Sequence, residues 1–316
     1  MKEAAKDLLN RMEGFTVAVA TPLTADARLD LPSLERLVER LIASGIRGIL
    51  VLGWFGEGPM LKEEDRLAVI RETVRMAAGH VVVVAGVAEQ SLPKSLDLTH
   101  RARQFGADAV LATPPYSYEL DQEQIYDFYH HLAEDGELPV IVYHNRDAGV
   151  VPDFATMARI SELPGVVGVK ASCDIGLMQQ YYLRLSRPER FAVFVSLAFQ
   201  LAPGLFLGAR HYMSGAPGNL CPAWCARLYE HASRSDWEAL RADNRRMIEL
   251  CTTLFRECHS GDTAVKFTLS ELGLCQPHVT PPMRTLDPRE QQVVRQAMKD
   301  YADVLEDAAC PSPTAP

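Results

Sequence analysis

The feature that most constrains the fold is a regular alternation of short apolar runs with longer amphipathic segments. Most of the runs are continuously apolar, which is typical of strands covered on both faces. The eight runs are "FTVAVA" (15–20), "GILVL" (48–52), "VVVVAG" (81–86), "AVLA" (109–112), "PVIVYH" (139–144), "VVGVKA" (166–171), "FAVFVS" (191–196) and "HYMSG" (211–215).

The segments between these runs predict helices. In segment 31–45, apolar residues recur on one helical face, with Pro32 near the start and Gly45 at the end. Further helices are predicted at 62–80, 92–105, 122–134, 153–162, 175–186, 200–208 and 222–233. Strict alternation implies parallel strands joined by right-handed crossovers, and eight units in roughly 220 residues predict a closed (β/α)8 TIM barrel. An open doubly wound sheet is the alternative, but "ATPLTADARLD" (20–30) lacks its G-x-G-x-x-G.

The chain divides into four parts on this interpretation. Residues 1–13 form an N-terminal helical segment and 14–234 form the barrel. Residues 235–306 predict a C-terminal extension of three helices without strands. The Pro-rich end, 307–316, predicts a disordered tail.

The amino-acid composition limits the kinds of partner and ligand that the protein is expected to bind. The formal net charge is -9 and no basic run is present, so nucleic acid is not expected as a partner. No apolar run reaches the roughly 18 residues of a membrane span, and the charged N-terminus is unlike a signal peptide. The seven cysteines have irregular spacing, which indicates reduced thiols in a cytoplasmic protein rather than a metal site. No cofactor is predicted, and a small anionic ligand remains compatible with the charge.

Lys170 ends the sixth apolar run, where a buried strand is expected. The C-terminal ends of TIM-barrel strands face the active site. A lysine in a water-poor barrel mouth can act as a neutral amine and condense with a ketone to form a Schiff base. The alternative is a lysine that reaches solvent along its apolar stem or pairs with a carboxylate.

Two neighbouring features strengthen the catalytic interpretation. Tyr143 ends the fifth run, and a phenol there can transfer protons to and from a carbinolamine. The stretch "GWFGEG" (53–58) follows the second run, and its glycines allow a tight turn whose N–H groups can bind an anion. Otherwise Tyr143 is an amphipathic rim residue, the stretch is a plain loop, and Glu57 is an acid at a helix N-terminus.

The order of these motifs resembles the dihydrodipicolinate synthase / N-acetylneuraminate lyase family. The similar elements are "TP" after strand one, G-x-x-G-E after strand two, "GADAVLATPPY" around strand four, "VY" ending strand five and G-V-K ending strand six. The likeness runs from about Gly14 to Tyr301. It implies a (β/α)8 barrel with a C-terminal helical extension, and a lysine Schiff base with pyruvate or another 2-oxo acid.

The resemblance also implies roles for individual residues. Lys170 would form the Schiff base, Tyr143 would transfer protons, and Tyr116 would match the second tyrosine of the proton relay. The backbone of Gly53, Trp54, Phe55 and Gly56 would hold the 2-oxo acid carboxylate. Arg146 and Met213 complete the candidate substrate-binding residues.

The chain departs from the family pattern at several of these positions. Trp54 stands where the relay has a threonine, and an indole N–H only donates. Arg146 is three places after Tyr143, whereas the synthase arginine is five places on. The turn after strand seven reads "SLAF" (196–199) instead of G-D-D. His144 could be a new acid or base, although successive strand residues alternate faces and His144 would then point away from the site.

These departures spare the barrel and change the site. The main hypothesis is a class I lyase, an aldolase or dehydratase of a 2-oxo-3-deoxy acid. The alternatives are a dihydrodipicolinate synthase that condenses pyruvate with aspartate semialdehyde, and a non-catalytic barrel that binds a 2-oxo acid. A metal-dependent hydrolase would need His and Asp at several strand ends, and H-x-H is missing after strand one. The resemblance further implies a homodimer or homotetramer.

Overall fold

A closed parallel barrel forms the centre of the molecule. The computed structural model describes residues 2–145 and 148–306. Each strand pairs in parallel with its two neighbours in chain order, and β8 closes the barrel against β1, with His211 opposite Gly14. The strands are β1 (Gly14–Ala18), β2 (Gly48–Val51), β3 (Val82–Gly86), β4 (Ala109–Ala112), β5 (Val140–Asn145), β6 (Val166–Ser172), β7 (Ala192–Val195) and β8 (His211–Ser214). The predicted TIM barrel is confirmed.

Helices follow the strands and cover the outside of the barrel. Several begin at an aspartate whose carboxylate accepts the backbone N–H three residues on, as at Asp30, Asp121 and Asp153. The helices up to the end of the barrel are α1 (Lys2–Arg11), α2 (Leu31–Ala43), α3 (Glu63–Ala77), α4 (Leu92–Phe105), α5 (Gln122–Asp135), α6 (Phe154–Ile160), α7 (Ile175–Leu185), α8 (Leu201–Phe206), α9 (Ala216–Leu220) and α10 (Pro222–Ser233). The short α9, directly after β8, was not predicted.

A C-terminal helical extension packs beside the mouth of the barrel. It consists of α11 (Trp237–Glu257), α12 (Gly261–Glu271), α13 (Pro288–Asp300) and α14 (Ala302–Glu306). The prediction of three helices was wrong by one, because Tyr301 leaves the helical backbone with φ -121° and separates α14 from α13. Since α12 contacts α9, the extension lies at the end of the barrel where the strands terminate. The predicted tail 307–316 lies outside the described residues.

The buried apolar residues form two layers. The larger layer lies between strands and helices, and the smaller one fills the barrel interior. Leu8 and Leu9 of α1, with Met12 directly after it, belong to the interior layer, and the Leu9 carbonyl contacts His211 Nε2 at 2.9 Å. Helix α1 therefore closes the N-terminal end of the barrel, and any ligand must enter from the opposite end.

Other sequence expectations concern thiols and membranes. The cysteines of residues 2–145 and 148–306 are all buried, namely Cys173, Cys221, Cys225, Cys251, Cys258 and Cys275. Among the helices of residues 2–145 and 148–306, none combines the length and apolar character that crossing a membrane requires.

Candidate active site

A cavity of about 590 Å³ opens at the C-terminal ends of the strands. Its volume lies within the roughly 300–1,000 Å³ that small-molecule sites usually have. The extension contributes one wall through α11 and α12. The polar side chains that strands β5 to β8 and their ends supply to the lining are Tyr143, Asn145, Lys170, Ser172, Ser196 and Ser214.

Lys170 and Tyr143 meet at the floor of this cavity. They are direct cross-strand partners on β6 and β5, so their side chains leave the sheet on the same face. Lys170 Nζ lies 4.0 Å from the centroid of the Tyr143 ring. Lys170 is only 5% exposed and Tyr143 8% exposed, yet both line the cavity. The amine is therefore held in a largely dry site beside a phenol, with access only from the barrel mouth.

The turn after β2 is held tightly against the barrel. Thr21 donates its hydroxyl to the Gly56 carbonyl at 2.6 Å, and Gly58 donates its N–H to the Gly53 carbonyl at 3.2 Å. Leu52 adopts φ +57°, and a Cβ at Gly58 would lie 2.1 Å from the Leu52 carbonyl oxygen. Only glycine allows this approach, which explains the glycine-rich sequence of the turn.

Backbone donors of this turn are available to a ligand, as far as the described residues show. The N–H groups of Trp54 and Phe55 make no hydrogen bond with any residue in the described part of the chain, whereas that of Gly56 is bonded to the Gly53 carbonyl. Trp54 and Phe55 line the cavity that contains Lys170. Unpaired N–H groups of a tight turn are suited to bind a carboxylate.

The aromatic side chains of Trp54 and Phe55 reshape the site. The Phe55 ring packs against Gly215, where a Cβ would lie 2.6 Å from the ring. The Trp54 ring lies edge-on to Tyr116, with the centroids 5.6 Å apart. Burial raises the pKa of the Tyr116 phenol, as does the negative charge of Glu89. Tyr116 lies outside the lining of the cavity that contains Lys170.

The remaining sequence-derived candidates are placed as follows. Met213 is fully buried in the barrel interior, below the cavity lining, and Ser214 and Gly215 line the cavity instead. Arg146 lies outside the described residues. His144 is buried on the outer face of β5, where its Nδ1 contacts the Tyr181 hydroxyl at 3.0 Å, as strand alternation predicts.

Asp262 in the first turn of α12 is a site residue that the sequence did not reveal. Its carboxylate lines both the main cavity and an adjoining cavity of about 170 Å³, and makes no hydrogen bond or ion pair within the described residues. Asp262 is exposed to solvent at the cavity, although the protein atoms around it withdraw its carboxyl from bulk water. The pKa of Asp262 is raised to about 6, chiefly by desolvation of the carboxyl and also by the negative charge of Glu57, while the positive charges of Lys170 and Lys266 oppose the shift. In the sequence it is indistinguishable from an ordinary acid at a helix N-terminus.

Ser172 was also overlooked, although the sequence carried a signal for it. It follows Lys170 by two residues on the same strand, so its side chain shares the face of Lys170. Its hydroxyl is 2.7 Å from that of Ser196 on the neighbouring strand end. The two hydroxyls form a hydrogen-bonded pair in the cavity lining.

A barrel of eight parallel strands with a buried lysine at the end of the sixth, facing a deep cavity, defines a class I lyase that works through a lysine Schiff base. Comparison with known proteins identifies the family. The profile of the Dihydrodipicolinate synthetase family matches residues 11–301. The chain belongs to that family.

Individual relatives agree with this assignment. The chain is 34% identical to the 4-hydroxy-tetrahydrodipicolinate synthase of Methylococcus capsulatus over 291 residues, which cover 91% of this chain and 98% of the relative. The dihydrodipicolinate synthase of Acinetobacter baumannii, solved in complex with pyruvate, is 30% identical with a TM-score of 0.86, covering 92% and 99% of the two chains. A sialic acid aldolase of Ruminococcus gnavus shares the fold with a TM-score of 0.87 at 20% identity, covering 95% and 99% of the two chains.

Proposed function

We propose that Lys170 condenses with the keto group of pyruvate or a closely related 2-oxo acid, and that the resulting enamine forms or breaks a bond to a second reactant. The observation that carries this proposal is the position of the buried Lys170 amine 4.0 Å from the Tyr143 ring centroid, at the floor of the cavity. The pyruvate complex of the Acinetobacter baumannii relative supports the choice of 2-oxo acid.

The residues around Lys170 can perform the steps that this chemistry needs. The amine attacks the keto carbon, and the phenol of Tyr143 supplies the proton with which the carbinolamine oxygen leaves as water. The free N–H groups of Trp54 and Phe55 bind the carboxylate. Because the protonated imine is buried, its positive charge is poorly screened and withdraws electrons strongly. The carbon next to the former keto carbon therefore loses a proton, and the enamine forms.

The second reactant distinguishes two candidate activities. Trp54 in contact with Tyr116 leaves no hydroxyl to connect two tyrosines, which favours an aldolase or dehydratase of a 2-oxo-3-deoxy acid. The names of the curated relatives favour a 4-hydroxy-tetrahydrodipicolinate synthase instead. The two activities share the imine with Lys170 and differ only after the enamine has formed.

A cytoplasmic location and a homo-oligomeric assembly are part of the same proposal. Buried thiols such as Cys221, Cys225 and Cys251 are the form that cysteine takes in a reducing compartment. Size-exclusion chromatography with light scattering measures the assembly directly, and a monomer at micromolar concentration would contradict it.

Reduction of the imine tests the proposed function. The purified chain is incubated with pyruvate and sodium borohydride, digested, and analysed by peptide mass spectrometry. We expect a reduced pyruvate adduct on Lys170 and none in Lys170→Met. The absence of an adduct with pyruvate and with several longer 2-oxo acids would contradict the proposal. Thermal stabilisation by these acids without an adduct would indicate a binding barrel.

The same preparation separates the two candidate activities. Turnover with aspartate semialdehyde and pyruvate would identify a synthase. Release of pyruvate from 2-oxo-3-deoxy acids would identify an aldolase, and loss of water from them without pyruvate release would identify a dehydratase.

A further inference from the structure

The outer half of the active-site cavity is rich in aromatic side chains that no part of the described chain covers. Phe199 is 62% exposed and Phe255 50% exposed, and both line the cavity that contains Lys170. Large apolar side chains exposed at a concave site usually mark a surface that a ligand covers. Bound water gains little there, because neither ring can form a strong hydrogen bond.

Packing contacts with the rest of the protein fix the positions of the Phe199 and Phe255 rings. Phe199 lies in the 3₁₀ turn Ala198–Gln200 that follows β7, and this turn packs against α11, which carries Phe255. The Phe255 ring lies directly over Gly261, where a Cβ would be 2.4 Å from the ring. A residue with a side chain at position 261 would displace the ring, so the glycine keeps Phe255 at the rim of the cavity.

The polar side chains of this half are Ser196 after β7 and, beside Phe255 on α11, Thr252 and Arg256. The turn 196–199 carries a single polar side chain, Ser196, and its hydroxyl is paired with that of Ser172. A sugar-like reactant would need a hydrogen-bond partner for each of its hydroxyls, since an unpaired polar group costs free energy on burial. A flat apolar group needs only contact area, which the aromatic side chains supply.

The cavity also has room for a sizeable second reactant. A 2-oxo acid such as pyruvate has six non-hydrogen atoms and occupies only the floor beside Lys170, whereas the cavity measures about 590 Å³. The rest of the cavity, between Lys170 and the rings of Phe199 and Phe255, is therefore available to the second reactant.

Building on the proposed function, we infer that the second reactant is an aldehyde bearing an apolar, ring-sized group, which Phe199 and Phe255 cover. In the forward direction, the enamine carbon attacks the aldehyde carbon, a C–C bond forms, and the aldehyde oxygen takes a proton to become a hydroxyl. Hydrolysis of the imine then frees Lys170 and releases a 4-hydroxy-2-oxo acid. The overall change is the addition of pyruvate to the aldehyde, without oxidant or reductant.

Aldehydes of equal size test this inference. The full-length chain is given pyruvate with benzaldehyde or with erythrose, which both have eight non-hydrogen atoms, and the condensation products are quantified by mass spectrometry. We expect kcat/KM for benzaldehyde to exceed that for erythrose by at least about tenfold. An equal or higher value for erythrose, or no product from benzaldehyde in a chain that forms the pyruvate imine, would overturn the inference.

Matched variants locate the effect in the rings. Phe199→Ser and Phe255→Ser should each lower kcat/KM for benzaldehyde by about tenfold or more, chiefly through KM, and should narrow the preference over erythrose. Phe206→Ser is the control, because Phe206 is 77% exposed on α8 and lies outside the cavity lining. Equal effects of all three variants, or no effect of the two cavity variants, would overturn the assignment.

Borohydride trapping with pyruvate keeps the two proposals distinguishable. If the wild-type chain gives no adduct with any 2-oxo acid, the proposed function fails and this inference falls with it. If the adduct forms on Lys170 but the ring variants and the aldehyde panel behave otherwise than expected, only the choice of second reactant is wrong. A change in oligomeric state caused by Phe199→Ser or Phe255→Ser would indicate that a second copy of the chain covers the rings instead.

Discussion

Glu57→Gln is expected to destabilise the protein strongly, because it breaks a buried ion pair. Glu57 follows the turn that carries Trp54 and Phe55, and its carboxylate accepts hydrogen bonds from Lys266 Nζ of α12 and from the Thr280 N–H at 2.7 Å. The side chains of Lys266 and Glu57 are only 3% and 7% exposed. This pair therefore connects the active-site turn with the C-terminal extension.

The magnitude follows from what the substitution leaves behind. Glutamine keeps the volume and can still accept the Thr280 N–H, but the Lys266 ammonium loses its counter-charge at a position that is only 3% exposed. Removal of one partner of a buried pair costs about 3–5 kcal/mol. The charge of nearby Asp262 offsets part of this cost, so we expect about 3 kcal/mol, the lower end of the range. At about 2–4 °C per kcal/mol, Tm should fall by roughly 6–12 °C.

Urea unfolding followed by circular dichroism, together with calorimetric Tm values, measures the effect. The double variant Glu57→Gln, Lys266→Met should regain most of the loss, because no uncompensated charge remains buried. Glu123→Gln is the surface control. It removes a pair with Arg159 whose side chains are 68% and 46% exposed, and its Tm should stay close to that of the wild type. A loss below about 1 kcal/mol for Glu57→Gln, or a double variant less stable than the single one, would refute the reasoning.

Three further predictions concern the cavity itself. Tyr143→Phe should lower kcat by about 100-fold or more, because proton transfer is lost. Pyruvate and borohydride should still label Lys170 in this variant. Unchanged turnover would exclude Tyr143 as the proton donor. Asp262→Asn should gain stability over the wild type as the pH rises from about 4 to 6. The pKa of Asp262 rises on folding from 3.8 to about 6. Between these pH values the unfolded chain has lost the proton that the folded chain keeps, so the wild type loses stability as the pH rises through this window and not above it. Parallel urea-stability profiles of the two proteins between pH 4 and 8 would contradict this. Gly215→Ala should lower the free energy of unfolding by about 1–3 kcal/mol, because the added Cβ would lie 2.6 Å from the Phe55 ring. The backbone itself would not be strained, since φ of Gly215 is an ordinary -87°. Wild-type stability would show that Phe55 moves freely.

Much of the barrel could be predicted because the information for it is local. Each strand or helix is recognisable from the periodicity of its own apolar residues. The alternation of strands and helices along the chain then implies that the strands pair in parallel. The pairing of Lys170 with Tyr143 then follows as well, since strand ends of consecutive units are neighbours in a closed barrel. Strand alternation placed His144 on the outer face by the same local rule.

The residues that make up the site were harder to predict from the sequence, because the walls of the cavity come from distant parts of the chain. Asp262 and Phe255 belong to the extension, and no local pattern reveals that α11 and α12 form a wall of the cavity. Met213 lies at the end of a strand in the sequence, but it is buried beneath the lining. The contact of Trp54 with Tyr116 likewise required the structure, since the sequence showed only that a hydroxyl was missing.

By itself, the sequence determined the barrel, the lysine at the end of its sixth strand and the phenol beside it, because periodicity and strand order act between near neighbours along the chain. Only the tertiary structure decided what surrounds that lysine. The Glu57–Lys266 pair joins residues 209 positions apart, and it is contacts of this kind that bring the extension over the barrel mouth. Such contacts depend on how whole elements pack, and packing leaves no repeating signal in the sequence.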